Sequence, residues 1–382
     1  MKHYLLIFLL LGLTLSISGQ KSKVLAVTQM IDAEKYDEAK ETIELVLLKD
    51  KTSRWPRTHY TKGLLCQTAY EKGLKDADAK LTNLYPDQLF VAYESYEKAL
   101  ELDAKGRLNN TIRQKYFLLD NDFRSMGEKL YGQREYKEAL RAFEHAILIG
   151  DSELIAPKTD TGLVLNTAMA AYESQEWEKA IKYLSGLHEE AYSPSASLLL
   201  AMSYEQSGDT IQSEEVLLKG LEIYHYEDSI VMFLVNQMVS TGRMEPAIDI
   251  LDRAIKAKPD NFKFYWARGL VYRRINNNDE AIKSFLLAAE RSPEDPALYY
   301  HIGICYYNMG IDLRESALLI TESNRFREVR EQYREKFREA VVWFERSYEL
   351  NPYNEATVST LYQLYDRLQM KEKQESLQQF IN

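Results

Sequence analysis

Apolar residues fall along most of this chain in short stripes of helical period, and the stripes repeat. Within residues 261–296, Gly269 and Tyr272 lie three apart. Ala281, Phe285 and Ala288 then follow at i, i+4 and i+7, and Pro293 ends the segment. Positions three, four and seven apart share one face of an α-helix, so the pattern predicts two short helices joined by a turn. Thirty-four residues earlier the same slots hold Ala247, Leu251, Ala254 and Pro259, and thirty-four earlier again Ser213, Leu217 and Gly220. Ala180, Leu184 and Leu187 lie one further step back, at a spacing of 33. The second-helix stripe also appears as Ala92, Tyr96, Ala99 and as Ala139, Phe143, Ala146. The first-helix pair recurs as Gly127 with Leu130, Ala168 with Ala171, Ala201 with Tyr204 and Gly303 with Tyr306. Gly208-Asp209 and Gly242-Arg243 mark the turn between the two helices. Small residues let the paired helices approach, and the bulky one fills the space between pairs. Such a pair cannot bury its apolar face alone, so neighbours must stack.

The period of 34 and the small/aromatic, alanine/aromatic/alanine, proline order resemble the tetratricopeptide repeat. The resemblance covers nearly the whole chain beyond residue 19. It implies an all-α fold, a right-handed superhelical solenoid of antiparallel helix pairs, and a general binding role. Eight repeats are expected, at about 20–53, 55–105, 120–153, 161–193, 194–227, 228–261, 262–295 and 296–352, with closing helices over 354–380. The first keeps Tyr36, Ala39 and Ile43 but has Val27 where a small residue is usual. The second carries extra residues around Leu74 to Leu89, with Pro86 expected to open its second helix. The eighth carries the largest insertion, 312–336, which holds no proline or glycine. There Phe326, Val329, Tyr333 and Phe337 share one face and continue to Ala340 and Phe344, with charged residues on the rest. Both helices of that repeat are expected to extend as an antiparallel projection. It is either a docking arm or dimer contact, or a solvated strut.

Composition narrows the class. Glycine and proline number 16 and 9 of 382 residues, too few for a turn-rich all-β chain. The formal net charge of −10 opposes binding to nucleic acid. Two cysteines, Cys66 and Cys305, read as small buried hydrophobes and cannot form a disulfide framework. At the N-terminus, Lys2 and His3 precede an apolar run from Tyr4 to Leu15, and Ser16, Ser18 and Gly19 follow. That run falls short of the roughly 18–20 residues that span a bilayer. It has the layout of a secretory signal peptide over residues 1–19, with cleavage expected near Gly19/Gln20 and an exported, periplasmic or secreted product. The alternative is an uncleaved segment that retains a membrane-bound sensor or envelope assembly factor. Membrane contact is then expected through that segment only.

No enzyme signature emerges. The chain has no phosphate-binding glycine loop, no dinucleotide fingerprint and no nucleophile elbow. Its six histidines never form a His-x-x-x-His pair. His188 with Glu189 and Glu190, expected between helices, falls short of the three or four ligands of a zinc site. No catalytic residue, metal or cofactor is expected. The candidate surface is the inner wall, which in the resembled family is lined by first helices. Its slots hold Leu165, Met169, Tyr172, Leu198, Met202, Met232, Phe233, Asn236, Trp266, Leu270, Arg273, Tyr300, Ile304 and Tyr307. Aromatics, methionine and arginine are enriched at interface centres. The same stripe could instead pack between neighbouring helices. One subfamily of these repeats grips a C-terminal carboxylate with lysine, arginine and asparagine, and only Asn236 matches that pattern. A protein or peptide segment with an apolar face is therefore the expected ligand.

Overall fold

The structure is a computed structural model that describes residues 19–155 and 160–377. Among the described residues it is helical throughout, with no strand. Contacts divide it into two compact units, 1–190 and 191–382. The apolar N-terminal run and its expected cleavage lie largely outside the described residues. No described helix is long and apolar enough to cross a membrane.

The N-terminal unit runs α1 (19–32), α2 (Tyr36–Leu47), α3 (Asp50–Ser53), α4 (Pro56–Asp76), α5 (Ala79–Thr82), α6 (Gln88–Leu102), α7 (Asn109–Gly132), α8 (Tyr136–Gly150), α9 (Thr161–Glu173) and α10 (Trp177–Glu189). The C-terminal unit runs α11 (Pro194–Ser207), α12 (Thr210–Ile223), α13 (Asp228–Ser240), α14 (Met244–Ala257), α15 (Phe262–Arg274), α16 (Asn278–Arg291), α17 (Pro296–Ala317), α18 (Ser323–Leu350), α19 (Glu355–Leu368) and α20 (Lys371–Leu377). Within each unit the helices pack chiefly on their neighbours in sequence, which makes each a stack of helix pairs, an all-α helical solenoid.

The local chemistry repeats with the pairs. Ser193, Asp209, Asn261, Asn277, Asp295 and Asn354 each accept a backbone N–H of the helix they precede. Pro56, Pro194 and Pro296 stand in the first turn of their helices, where no N–H is needed. The turn inside a pair closes on a left-handed residue. Its successor donates to a carbonyl five residues back, as Glu135 to Leu130, Asp209 to Tyr204, Arg243 to Met238 and Asn277 to Tyr272. Glycine fills the left-handed slot at Gly208 and Gly242, whereas Glu34, Arg134, Gln175 and Asn276 fill it elsewhere. The loop between pairs is fixed by another recurring bond: Tyr265 donates to the carbonyl of Pro259, and Tyr299 to that of Pro293, at 2.9 and 3.0 Å.

In four of the pairs, α4 with α6, α7 with α8, α15 with α16 and α17 with α18, the closest contact is a glycine against an aromatic ring. A Cβ added at Gly269 would lie 2.6 Å from Phe285, one at Gly127 2.5 Å from Phe143, and one at Gly310 2.6 Å from Phe337. Gly63 meets Tyr96, and Gly303 meets Phe344, in the same way. Those rings and their flanking alanines, such as Ala281 and Ala288, are buried.

Two local expectations need correction. Pro86 does not open α6: it sits in a turn, Asp87 follows in left-handed conformation, and the helix begins at Gln88. The extra residues of that repeat lengthen α4 and form the short α5. His188 is not between helices. It lies in the last turn of α10 and is buried.

Candidate functional site: a cavity between α13 and α15

The fourteen inner-wall candidates lie on α9, α11, α13, α15 and α17, the first helices of their pairs. Asn236 is exposed and the other thirteen are half-buried. The structure separates them into distinct environments. Met232 and Asn236 of α13 meet Trp266, Leu270 and Arg273 of α15 around one cavity of about 490 Å³, which Val235, Val239, Ala267, Val271 and Arg274 complete. In the N-terminal unit, Met169 borders a smaller cavity of about 140 Å³ with Glu128, Tyr131, Phe143 and Asn166. Tyr172 stands edge-on to Trp177 at 5.3 Å. Tyr300, Ile304 and Tyr307 are packing residues. Tyr300 meets Phe344 at 5.5 Å, Tyr307 meets Phe337 at 5.6 Å, and all three cover the core between α17, α18 and α19. Leu165, Leu198, Met202 and Phe233 are half-buried and border neither cavity.

Sequence reasoning missed His301. It stands one period of 34 after Ala267, where a small residue is replaced by a ring. The ring stacks on Phe285 at 5.4 Å and lies 6.4 Å from Trp266. Its Nδ1 accepts from the Arg273 Nη1 at 3.0 Å, which leaves the ring proton on Nε2. Burial, then the Arg273 charge, lowers the His301 pKa to about 4. The histidine is therefore neutral at physiological pH. It holds one edge of the guanidinium while the rest stays directed at the cavity.

The ion pairs of α15 are those of Lys263 with Asp228 and Arg268 with Asp252, so neither Arg273 nor Arg274 pairs with a described carboxylate. Both sit in the last turn of α15, where positive charge suits the helix dipole. The site thus offers an apolar floor with an indole at its centre and two guanidinium groups at one end. That arrangement can hold an apolar side chain and fix the direction of a segment bearing negative charge. Among the described residues, no three of His, Cys, Asp or Glu gather in a way that could hold a metal ion.

Residues 239–296, which include α15 and its partner α16, match the family model described as tetratricopeptide repeat. That segment is therefore recognised as tetratricopeptide repeat, a fold that serves generally as a protein-interaction scaffold. No curated protein matches it by sequence. Among solved structures, MamA from Desulfovibrio magneticus RS-1 is 17% identical, over 52% of this chain and 99% of that one, with a TM-score of 0.36. A TPR repeats protein from Bacteroides fragilis NCTC 9343 is 13% identical, over 65% and 98%, with a TM-score of 0.35. MamA from strain AMB-1 is 19% identical, over 50% and 92%, with a TM-score of 0.34. Identities below 20% and scores below 0.5 transfer nothing of what those proteins do.

The state of His301 gives a testable pH dependence. Its folded pKa lies below the ordinary 6.5, so the unfolded chain binds more protons between about 6.5 and about 4. The His301 contribution to stability is complete above pH 6.5 and is lost as pH falls through that window. Urea unfolding across the window should show a steeper loss for the native protein than for His301→Gln. Equal slopes would mean that the ring is not held neutral.

Proposed function

We propose that this chain is an exported, non-catalytic interaction scaffold of the cell envelope or exterior. Its C-terminal unit binds a peptide or protein segment over Trp266. The observation that carries this reading is the cavity between α13 and α15, where an indole and two guanidinium groups without carboxylate partners face the same space. Tryptophan and arginine dominate interface energies because each couples a large contact area to directed polar groups. The ligand on this reading presents an apolar side chain to Trp266 and an acidic group to Arg273 and Arg274. The signal-like N-terminal layout supports export, and the mature chain should begin near Gln20. Mass spectrometry that finds Met1 in a membrane fraction would instead favour retention by that segment.

The binding test is capture of crosslinked partners by purified variants. Trp266→Ala should weaken capture by about 2 kcal/mol, roughly thirtyfold. Arg273→Ala should chiefly flatten the salt dependence. Arg330→Ala, on the projecting arm, should leave capture unchanged. Circular dichroism must show Trp266→Ala folded, because the indole also packs against the core that includes Phe285. A folded Trp266→Ala protein that captures normally would refute the site.

A further inference from the structure

We propose that the smaller cavity of the N-terminal unit, between α7, α8 and α9, is a second binding site, and that it takes a lysine side chain of a protein segment. Glu128 receives the ammonium group there, and Tyr131, Phe143 and Met169 hold the methylene stem. This goes beyond the reading of the Trp266 cavity and does not depend on it.

An acid stands here in a slot that is neutral in the other pairs. The residue that follows the small contact residue of a first helix is Leu64 after Gly63, Met169 after Ala168, Met202 after Ala201, Leu270 after Gly269 and Ile304 after Gly303. Asn236, one period before Leu270, is polar but uncharged. After Gly127 the slot holds Glu128. Gly127 packs on Phe143 as Gly269 packs on Phe285, so the two slots are equivalent in the structure as well as in the count. Glu128 is exposed, and the packing of the pair does not call for a carboxylate there.

Glu128 and Tyr131 from α7, Phe143 from α8, and Asn166 and Met169 from α9 enclose about 140 Å³. Sites for whole small molecules run to roughly 300–1,000 Å³, so this one suits a single side chain. Tyr131 is held by an edge-on contact with Tyr136 at 5.1 Å. Burial, then the Glu173 charge, raises the Tyr131 pKa, so the phenol stays neutral and Glu173 acts on the same ring. Glu173 lies five residues after Ala168, in the slot that Arg274 holds five after Gly269. The charge beside this cavity is therefore opposite in sign to that beside Trp266.

That charge is not offset. The ion pairs of α7 join Arg124 to Asp120 and to Asp160, which leaves Glu128 and Glu173 without a described cation. Lys129 is one residue past Glu128, turned about 100° around the helix and away from Tyr131, and does not line the cavity. Over residues 120–132 and 160–173 together, five carboxylates stand against two basic side chains. Along α8, Lys137 and Arg141 balance Glu138 and Glu144.

Lysine matches these groups. Its apolar stem packs on a thioether and aromatic edges, and its compact ammonium is attracted to ring electrons and a carboxylate together. The planar fork of arginine is best used by paired acceptors, whereas the cavity lining supplies one carboxylate.

The test follows the Met169 methyl signal by NMR in the full chain with labelled methionine methyl groups, assigned by its loss in M169L. The probes are N-acetyl-lysine amide and N-acetyl-norleucine amide, which has a similar stem without the ammonium, at one fixed ionic strength. The lysine probe should shift Met169 and leave Met202, which borders neither cavity, in place. The norleucine probe should bind about threefold or more weakly. E128Q changes an exposed side chain and should keep the other methyl signals. It should weaken the lysine probe about threefold or more and leave the norleucine probe unchanged. Equal responses to the two probes, an unaltered lysine response in E128Q, or a silent Met169 would each overturn the proposal. So would tighter binding of N-acetyl-arginine amide, which would assign the cavity to a guanidinium. None of these outcomes bears on capture at Trp266, so the two sites stand or fall separately.

Discussion

Four of the helix pairs, among them the one that carries Trp266, rest on one contact: a glycine in the first helix, against which an aromatic ring of the second is packed. At Gly269 the Phe285 ring stands where a Cβ would be, and the same contact holds Gly127 to Phe143 and Gly310 to Phe337. Helices of 13–15 residues, such as α15 and α8, are marginal in water alone. Burying one phenylalanine contributes about 1.5–3 kcal/mol, but only once its partner helix is in place. The cost of glycine within a helix, roughly 1 kcal/mol against alanine, is accepted because any larger residue would hold the helices apart. The α15/α16 pair packs on α14 through α15, and α14 also packs on α13, so α13 and α15 border one cavity. Trp266 lines that cavity from α15.

The inner wall divides by what lies across from each side chain. Tyr300 and Tyr307 face the long helix α18 and are consumed in packing. Trp266 and Leu270 pack on one side and border open space on the other. His301 joins the two environments: it stacks on the core ring Phe285 and holds Arg273 at the edge of the cavity. The same core therefore sets the helix spacing and orients a charge at the site.

Much of the fold was legible because it repeats. The Ala281, Phe285, Ala288 stripe and its copies could be aligned by counting, and each is buried. The turns were legible only where glycine stands, at Gly208 and Gly242. At Arg134, Gln175 and Asn276 the left-handed residue carries a side chain, and the surrounding hydrogen bonds rather than the residue type impose the conformation. Pro86 misled because proline suits a turn as well as a first helical turn. For the site, the slots on α13 and α15 could be read from the period. Their separation from those on α17 could not, because it depends on the length of α18. His301 was hidden because its role comes from Arg273 and Phe285, residues 28 and 16 positions earlier, and not from any local motif.

The most direct test of the central contact is a double-mutant cycle at Gly269 and Phe285, read by denaturant unfolding with hydrogen exchange over α15 and α16. Gly269→Ala should destabilise by about 1–3 kcal/mol through overpacking, and Phe285→Leu by a similar amount through lost burial. Combined, the smaller side chain makes room for the added methyl. The double variant should be at least about 0.5–1 kcal/mol more stable than the sum of the single losses predicts. Strict additivity, with exchange unchanged over α15 and α16 in Gly269→Ala, would show that the glycine–ring contact does not hold the pair together.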